Sequence, residues 1–177
     1  MVRQPVYSMF FLIFFLIGCE HNNTNTPKNL KQTPKIQIDT SVFVILPLDT
    51  TWVSLSGKPA DLTTQDLIDI ERLLKKCVEG YNVEQEKQIQ EINHKNPEHK
   101  RDKKDFVIDL TRYKRQYMAT RNSRGEKVVW INCFCDQWDK HSRTSAYIVM
   151  DGGNCYFNLK VNLTQGTYSE MMVNGEA

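Results

Sequence analysis

Two thiols separated by one residue, Cys133-Phe134-Cys135, are the first place to look for chemistry in this chain. Successive side chains of a strand point to opposite faces, so both thiols share a face with Val129 and Ile131. Two sulfurs on one face suit a metal or a redox couple. A closed zinc site wants four ligands, usually from CxxC-type knuckles, and no second knuckle is present. A bond between the two is disfavoured, because Cα atoms two residues apart in a strand are about 6.6 Å apart, near the upper limit for a disulfide. Cys77 and Cys155 complete a set of four, which allows three full pairings. Cys77 sits on a helix stripe from which it reaches one of the pair. Cys155 is expected to open a strand parallel to that of Cys133 and two places over, opposite Val128 rather than Cys135. Cys77, Cys133, Cys135 and Cys155 therefore read as buried small apolar residues with at most one structural disulfide.

The other candidates carry weaker signals. His94 and His99 lie among Glu91, Glu98 and Asp102, but a spacing of five does not put them on one helical face. Asp139, His141 and Ser142 have the residue types of a hydrolase. Neighbours in one loop rarely form a triad, however, so they read as a solvated loop. No GxSxG elbow, phosphate loop or HExxH occurs. No cofactor is implied. Residues 112–117 (RYKRQY) interleave basic and aromatic side chains, with Tyr113, Arg115 and Tyr117 on one face. Together with Trp138 in a nearby loop they form a candidate surface for a glycan or polymer. The plainer reading is a solvated strand face whose charges discourage edge pairing.

These residues need elements to place them. Residues 41–46 (SVFVIL) are β-branched and apolar and read as a buried strand, which residues 52–55 extend or pair with. Thr63 followed by Asp66 is a capping-box variant, and Leu62 and Leu67 have the spacing of a hydrophobic staple. Leu67, Ile70, Leu73, Leu74, Cys77 and Tyr81 form one helical stripe. Gly80 is a candidate stop; residues 83–94 either prolong the helix or stand as an exposed second one. Beyond a charged loop at 96–105, residues 105–110 read as a short lead-in strand. Strands are expected at 112–121, 126–135, 145–150, 154–163 and 167–173, with Gly-bearing turns at 122–125, 151–154 and 164–166. In the strand at 154–163, Cys155, Phe157, Leu159, Val161 and Leu163 face one way, as in a sheet with one packed face. The strand at 126–135 is apolar on both faces, which makes it central or covered by a loop.

The amino-terminal end carries the address. Arg3 and the α-amine precede an apolar run from Met9 to Ile17, too short to span a bilayer and right for a signal core. It closes on Leu16-Ile17-Gly18-Cys19, which resembles the lipobox of bacterial lipoproteins. That resemblance implies cleavage before Cys19, removal of residues 1–18 and acylation of the Cys19 thiol with palmitate-type chains. Glu20, in place of Asp, favours the outer membrane without choosing its face. Residues 20–35 are rich in Asn, Thr, Pro and Lys and nearly free of apolar side chains, so residues 19–35 read as a lipidated flexible tether. Residues 36–177 are left as one domain of ordinary length. With 23 basic and 21 acidic side chains, net +2, nothing argues for nucleic acid.

Strand, helix and antiparallel meander give an α+β class: one main helix packed on a β-meander of four to five strands. This order resembles the cystatin-like folds, including the NTF2-like group, although neither the Gln-x-Val-x-Gly loop nor an NTF2-type Asp-His set is present. The carboxy-terminal segment also looks like uncharacterised bacterial lipoproteins. The expected function is a non-catalytic binding or structural module of the cell envelope, partnered by the membrane and by an envelope protein or glycan. The alternative is an NTF2-like enzyme, or a thiol-dependent redox or metal protein using Cys133 and Cys135. A pocket of converging polar groups between helix and sheet would favour the enzyme, and a packed interior the binding module. Cys19→Ala is expected to move the protein from the membrane fraction to the soluble fraction, read by immunoblot after carbonate washing; retention would overturn the lipidation reading.

Overall fold

A computed structural model describes residues 38–51 and 53–175. The signal segment, the lipobox with Cys19, the tether at 19–35 and Trp52 lie outside the described residues. Ile36–Ala177 forms one compact unit. The chain order is β1 (Phe43–Ile45), β2 (Lys58–Pro59), α1 (Thr64–Lys95), β3 (Lys114–Arg121), β4 (Lys127–Phe134), β5 (Tyr156–Asn162) and β6 (Thr167–Val173).

The class is α+β, one main helix on a six-stranded mixed sheet of order β1-β3-β4-β5-β6, with β2 also pairing β3. The wholly antiparallel meander of four to five strands is corrected in two places. First, β1 runs parallel to β3, with Val44 opposite Gln116. A parallel neighbour needs a long crossover, and α1 supplies it. Second, residues 145–150 are not a strand. Gln116 and Asn132, buried side chains of β3 and β4, hold that segment by its backbone: Gln116 Oε1 accepts from the Tyr147 N–H at 2.9 Å, and Asn132 Nδ2 donates to the Tyr147 carbonyl at 2.8 Å. Backbone groups spent on side chains leave none for a ladder. Consequently β5 pairs directly with β4, with Phe134 opposite Tyr156 and Val128 opposite Asn162.

Helix α1 starts where its cap predicts. Asp66 N–H donates to the Thr63 hydroxyl at 3.2 Å, and the Thr63 N–H donates to the Asp66 carboxylate at 2.8 Å. The helix then runs through Gly80 to Lys95. Its second half is held by the returning chain. Asn82 exchanges two 2.8 Å bonds with the backbone of Ile108, and Asn93 accepts from the Arg101 N–H at 2.7 Å. The expected lead-in strand at 105–110 is replaced by two short 3-10 turns, Lys103–Asp105 and Leu110–Arg112. Residues 53–55 are likewise not a strand, yet Val53 and Leu55 are buried.

The sheet is packed on both faces. Under α1, Ile70, Leu73, Leu74 and Cys77 meet Tyr117, Val129, Ile131, Phe157, Leu159 and Val161. β5 shows the expected alternation, with Phe157, Leu159 and Val161 buried and their neighbours half-exposed. On the far face Leu46, Val53 and Leu55 cover Met118 and Trp130. β4 is thus the covered central strand its two apolar faces require. Gly57, at φ +122, lies so close to β3 that a Cβ there would sit 2.2 Å from the Arg121 carbonyl oxygen, which only glycine tolerates.

The helix start is tied to the sheet by a largely buried pair, Lys127 Nζ to Asp66 at 2.7 Å. Burial pushes the Asp66 carboxyl up, but bonds from Lys127 and from the Thr63 backbone and hydroxyl outweigh it, and the net shift is downward from 3.8. A lowered carboxyl contributes stability that is present above 3.8 and is lost as pH falls through its folded-state value. Asp66→Ala is expected to lower the unfolding free energy by about 1–2 kcal/mol at neutral pH. It should also flatten the loss of stability below pH 3.8; urea titrations at neutral and acid pH read both. In the helix core, Leu73→Ala should cost about 2–5 kcal/mol by the same assay.

Candidate functional site

The pairing of β5 with β4 decides the cysteines. Cys135 and Cys155 leave the adjacent ends of these strands, the Cys135 N–H donates to the Cys155 carbonyl at 3.1 Å, and their Cα atoms lie 5.2 Å apart in a disulfide. The expectation that Cys155 stands opposite Val128 is therefore corrected; it followed from placing an extra strand between the two. Cys133 and Cys77 are free and buried. Burial pushes the Cys77 thiol up to about 11 and raises Cys133 further still, so neither ionises near neutrality. The Cys77 sulfur rests 3.4 Å from the Met171 sulfur. Among the described residues, no group of three or more His, Cys, Asp or Glu side chains is placed to hold a metal ion.

The hydrolase-like loop closes on itself. The Ser142 hydroxyl donates to the Asp139 carboxylate at 2.6 Å, and that carboxylate also accepts from the Ser142 N–H. Those bonds hold Asp139 below the usual carboxylate range, the hydroxyl contributing most. His141 is exposed, as are His94 and His99. Trp138 is half-buried; its ring N–H donates to the Ser41 carbonyl at 3.0 Å, and the ring packs on Phe134 and under Arg143.

Tyr113, Arg115 and Tyr117 do share a face, as alternation requires, but it is the face beneath α1, where all three are buried. They lie away from Trp138, which packs on Phe134. The Tyr113 hydroxyl donates to the Asn154 carbonyl at 2.6 Å, and burial pushes that phenol up to about 12. The Tyr117 hydroxyl donates to Glu71 Oε1 at 2.5 Å. Burial raises the Tyr117 phenol well above its ordinary value, and the Glu71 charge and hydrogen bond raise it further. Arg115 Nε faces the same Glu71 oxygen at 3.3 Å, an ion-pair contact not aligned as a hydrogen bond. Its two terminal nitrogens donate to the carbonyls of Tyr113 and Leu110 at 3.1 and 3.2 Å.

Glu71 and Arg115 form the floor of a cleft of about 390 Å³ between α1 and the β1 edge of the sheet. Ile38, Val42, Ile68 and Leu110 give it apolar walls, and Asp39 and Thr111 stand at its rim. Glu71 was missed by sequence reasoning, although a signal exists. It lies four residues after Leu67 and three before Leu74, so it is a charge inside the apolar stripe. A buried guanidinium on the facing strand is what such a charge answers. Mixed apolar and convergent polar lining in a hollow this size is the ordinary form of a small-molecule site.

No protein-family model matches the chain, and neither a curated protein nor a solved structure is similar to it.

Alkylation under native, non-reducing conditions is expected to label none of Cys77, Cys133, Cys135 and Cys155. Denaturation without reduction should expose the two free thiols, Cys77 and Cys133, to label. Intact mass reads both states. Replacing Cys135 and Cys155 together with Ser should lower the unfolding free energy by about 3 kcal/mol, the loop-closure value for their separation of 20 residues.

Proposed function

We propose that this chain is a lipid-anchored protein of the cell envelope, placed at the outer membrane, whose α+β domain is a non-catalytic module binding a small ligand in the Glu71–Arg115 cleft. The address rests on the run ending at Cys19. The Cys135–Cys155 bond supports it, because disulfides persist in oxidising compartments outside the cytoplasm. The flexible tether at 19–35 lets the domain reach a ligand away from the bilayer.

One observation carries the binding reading over the catalytic one. The Tyr117 phenol, which could move a proton at the cleft floor, is hydrogen-bonded to Glu71 and raised well above its ordinary value, while the Arg115 guanidinium is held by two carbonyls and keeps N–H groups for a ligand. The thiol alternative loses support because Cys135 is bonded to Cys155 and Cys133 is enclosed. The second reading is an NTF2-like enzyme on a cystatin-like arrangement of helix over sheet. It is favoured by the same cleft, which gathers polar groups between those two layers.

Incubation of the purified acylated protein with an extract of envelope small molecules separates these readings. A compound that is retained by the protein and recovered unchanged supports the binding module. A compound consumed by wild type and spared by Glu71→Gln supports the enzyme and overturns the proposal.

A further inference from the structure

The floor of the cleft has two unspent halves. Of the five N–H groups of Arg115, one on each terminal nitrogen goes to a carbonyl and Nε faces Glu71, which leaves one N–H on each terminal nitrogen. Glu71 takes Tyr117 and Arg115 on Oε1, and its Oε2 has no hydrogen-bond partner among the described residues. Asp39 at the rim spends Oδ1 on Ser41, and its Oδ2 has none. The ordinary acceptors and donors of a small ligand thus meet side by side on one floor, under apolar walls.

We infer that this cleft binds a zwitterionic α-amino acid with an aliphatic side chain. The proposal rests on the binding reading above and names its ligand class. The ligand ammonium donates to Glu71 Oε2 and faces Asp39. Its carboxylate accepts from the terminal N–H groups of Arg115. Its side chain packs on Val42, Ile68 and Leu110. Charge decides against the simpler ligands. A bare carboxylate would meet two carboxylates and one guanidinium. A bare amine would leave the guanidinium N–H groups desolvated and unpaired beneath it. A ligand with both charges adjacent satisfies both halves, and a hollow of about 390 Å³ has room for one amino acid.

The test uses the acylated protein in lipid nanodiscs and three matched probes: L-leucine, 3-methylbutylamine, which lacks its carboxylate, and 4-methylpentanoate, which lacks its ammonium. Calorimetry and ligand-observed NMR read binding. Leucine is expected to bind, with each half-probe weaker by about tenfold or more, the worth of one charge-assisted contact. Thr111→Trp, an exposed rim position, should block the cleft and abolish binding while the melting temperature holds. Glu71→Gln should weaken leucine by about tenfold with a smaller effect on 4-methylpentanoate. Half-probes binding as well as leucine, or leucine binding that survives Thr111→Trp, would overturn the inference. So would no binding of any probe at about 10 mM, well above the range of a specific site. If the probes fail while an envelope compound binds and is lost in Thr111→Trp, the zwitterion inference falls and the binding module stands.

Discussion

Two middle strands that are apolar on both sides dictate most of this fold. Tyr117, Val129 and Ile131 need cover on one face, and Met118 and Trp130 need it on the other. An amphipathic helix covers the first. Nothing regular is left in the sequence for the second, so loops must serve, and loops bring backbone polar groups that demand partners. Gln116 and Asn132 are those partners. Buried among apolar side chains, they bond to one another at 3.0 Å and to the carbonyls of Ser142, Ser145 and Tyr147. Cys135 and Cys155 close the same loop at its base. The polar residues inside this sheet are the fastening of its second cover.

The same constraint separates what the sequence discloses from what it hides. The cap at Thr63, the stripe from Leu67 to Cys77 and the alternation along β5 are local patterns, and each appears in the structure where its spacing puts it. Residues 145–150 failed because β-branched and aromatic residues there suit a loop lying on a sheet as well as a strand within it. What decides is a glutamine and an asparagine some thirty and fifteen residues away. The disulfide was hidden by that one misplaced strand. The parallel seat of β1 was hidden for another reason: three residues of strand carry no mark of direction.

The cleft was half legible. Arg115 stood out in its aromatic-basic strand, and its face was assigned correctly, but that face turned out to lie under the helix. Without α1 in place, Tyr113, Arg115 and Tyr117 suggest a surface. With it, they become an interior cluster that needs a counter-charge, and Glu71 is the helix residue that supplies one. The Arg115 side of this pair is buried and the Glu71 side is one-third exposed, so desolvation offsets much of the attraction.

The parallel strand β1 has a mechanical consequence. It is the first element after the amino-terminal segment, and it joins the sheet over three residue pairs, flanked by the bonds from Arg115 N–H to Val42 and from Leu46 N–H to Tyr117. Tension applied to the domain through that segment is borne first by this short seam, before any load reaches the helix or the long β3–β4–β5 ladder. The chain just before this seam lines the cleft, through Ile38 and Val42. Strain on that seam is therefore passed to the Val42 side of the cleft, whose shape depends on the three β1–β3 pairs staying closed.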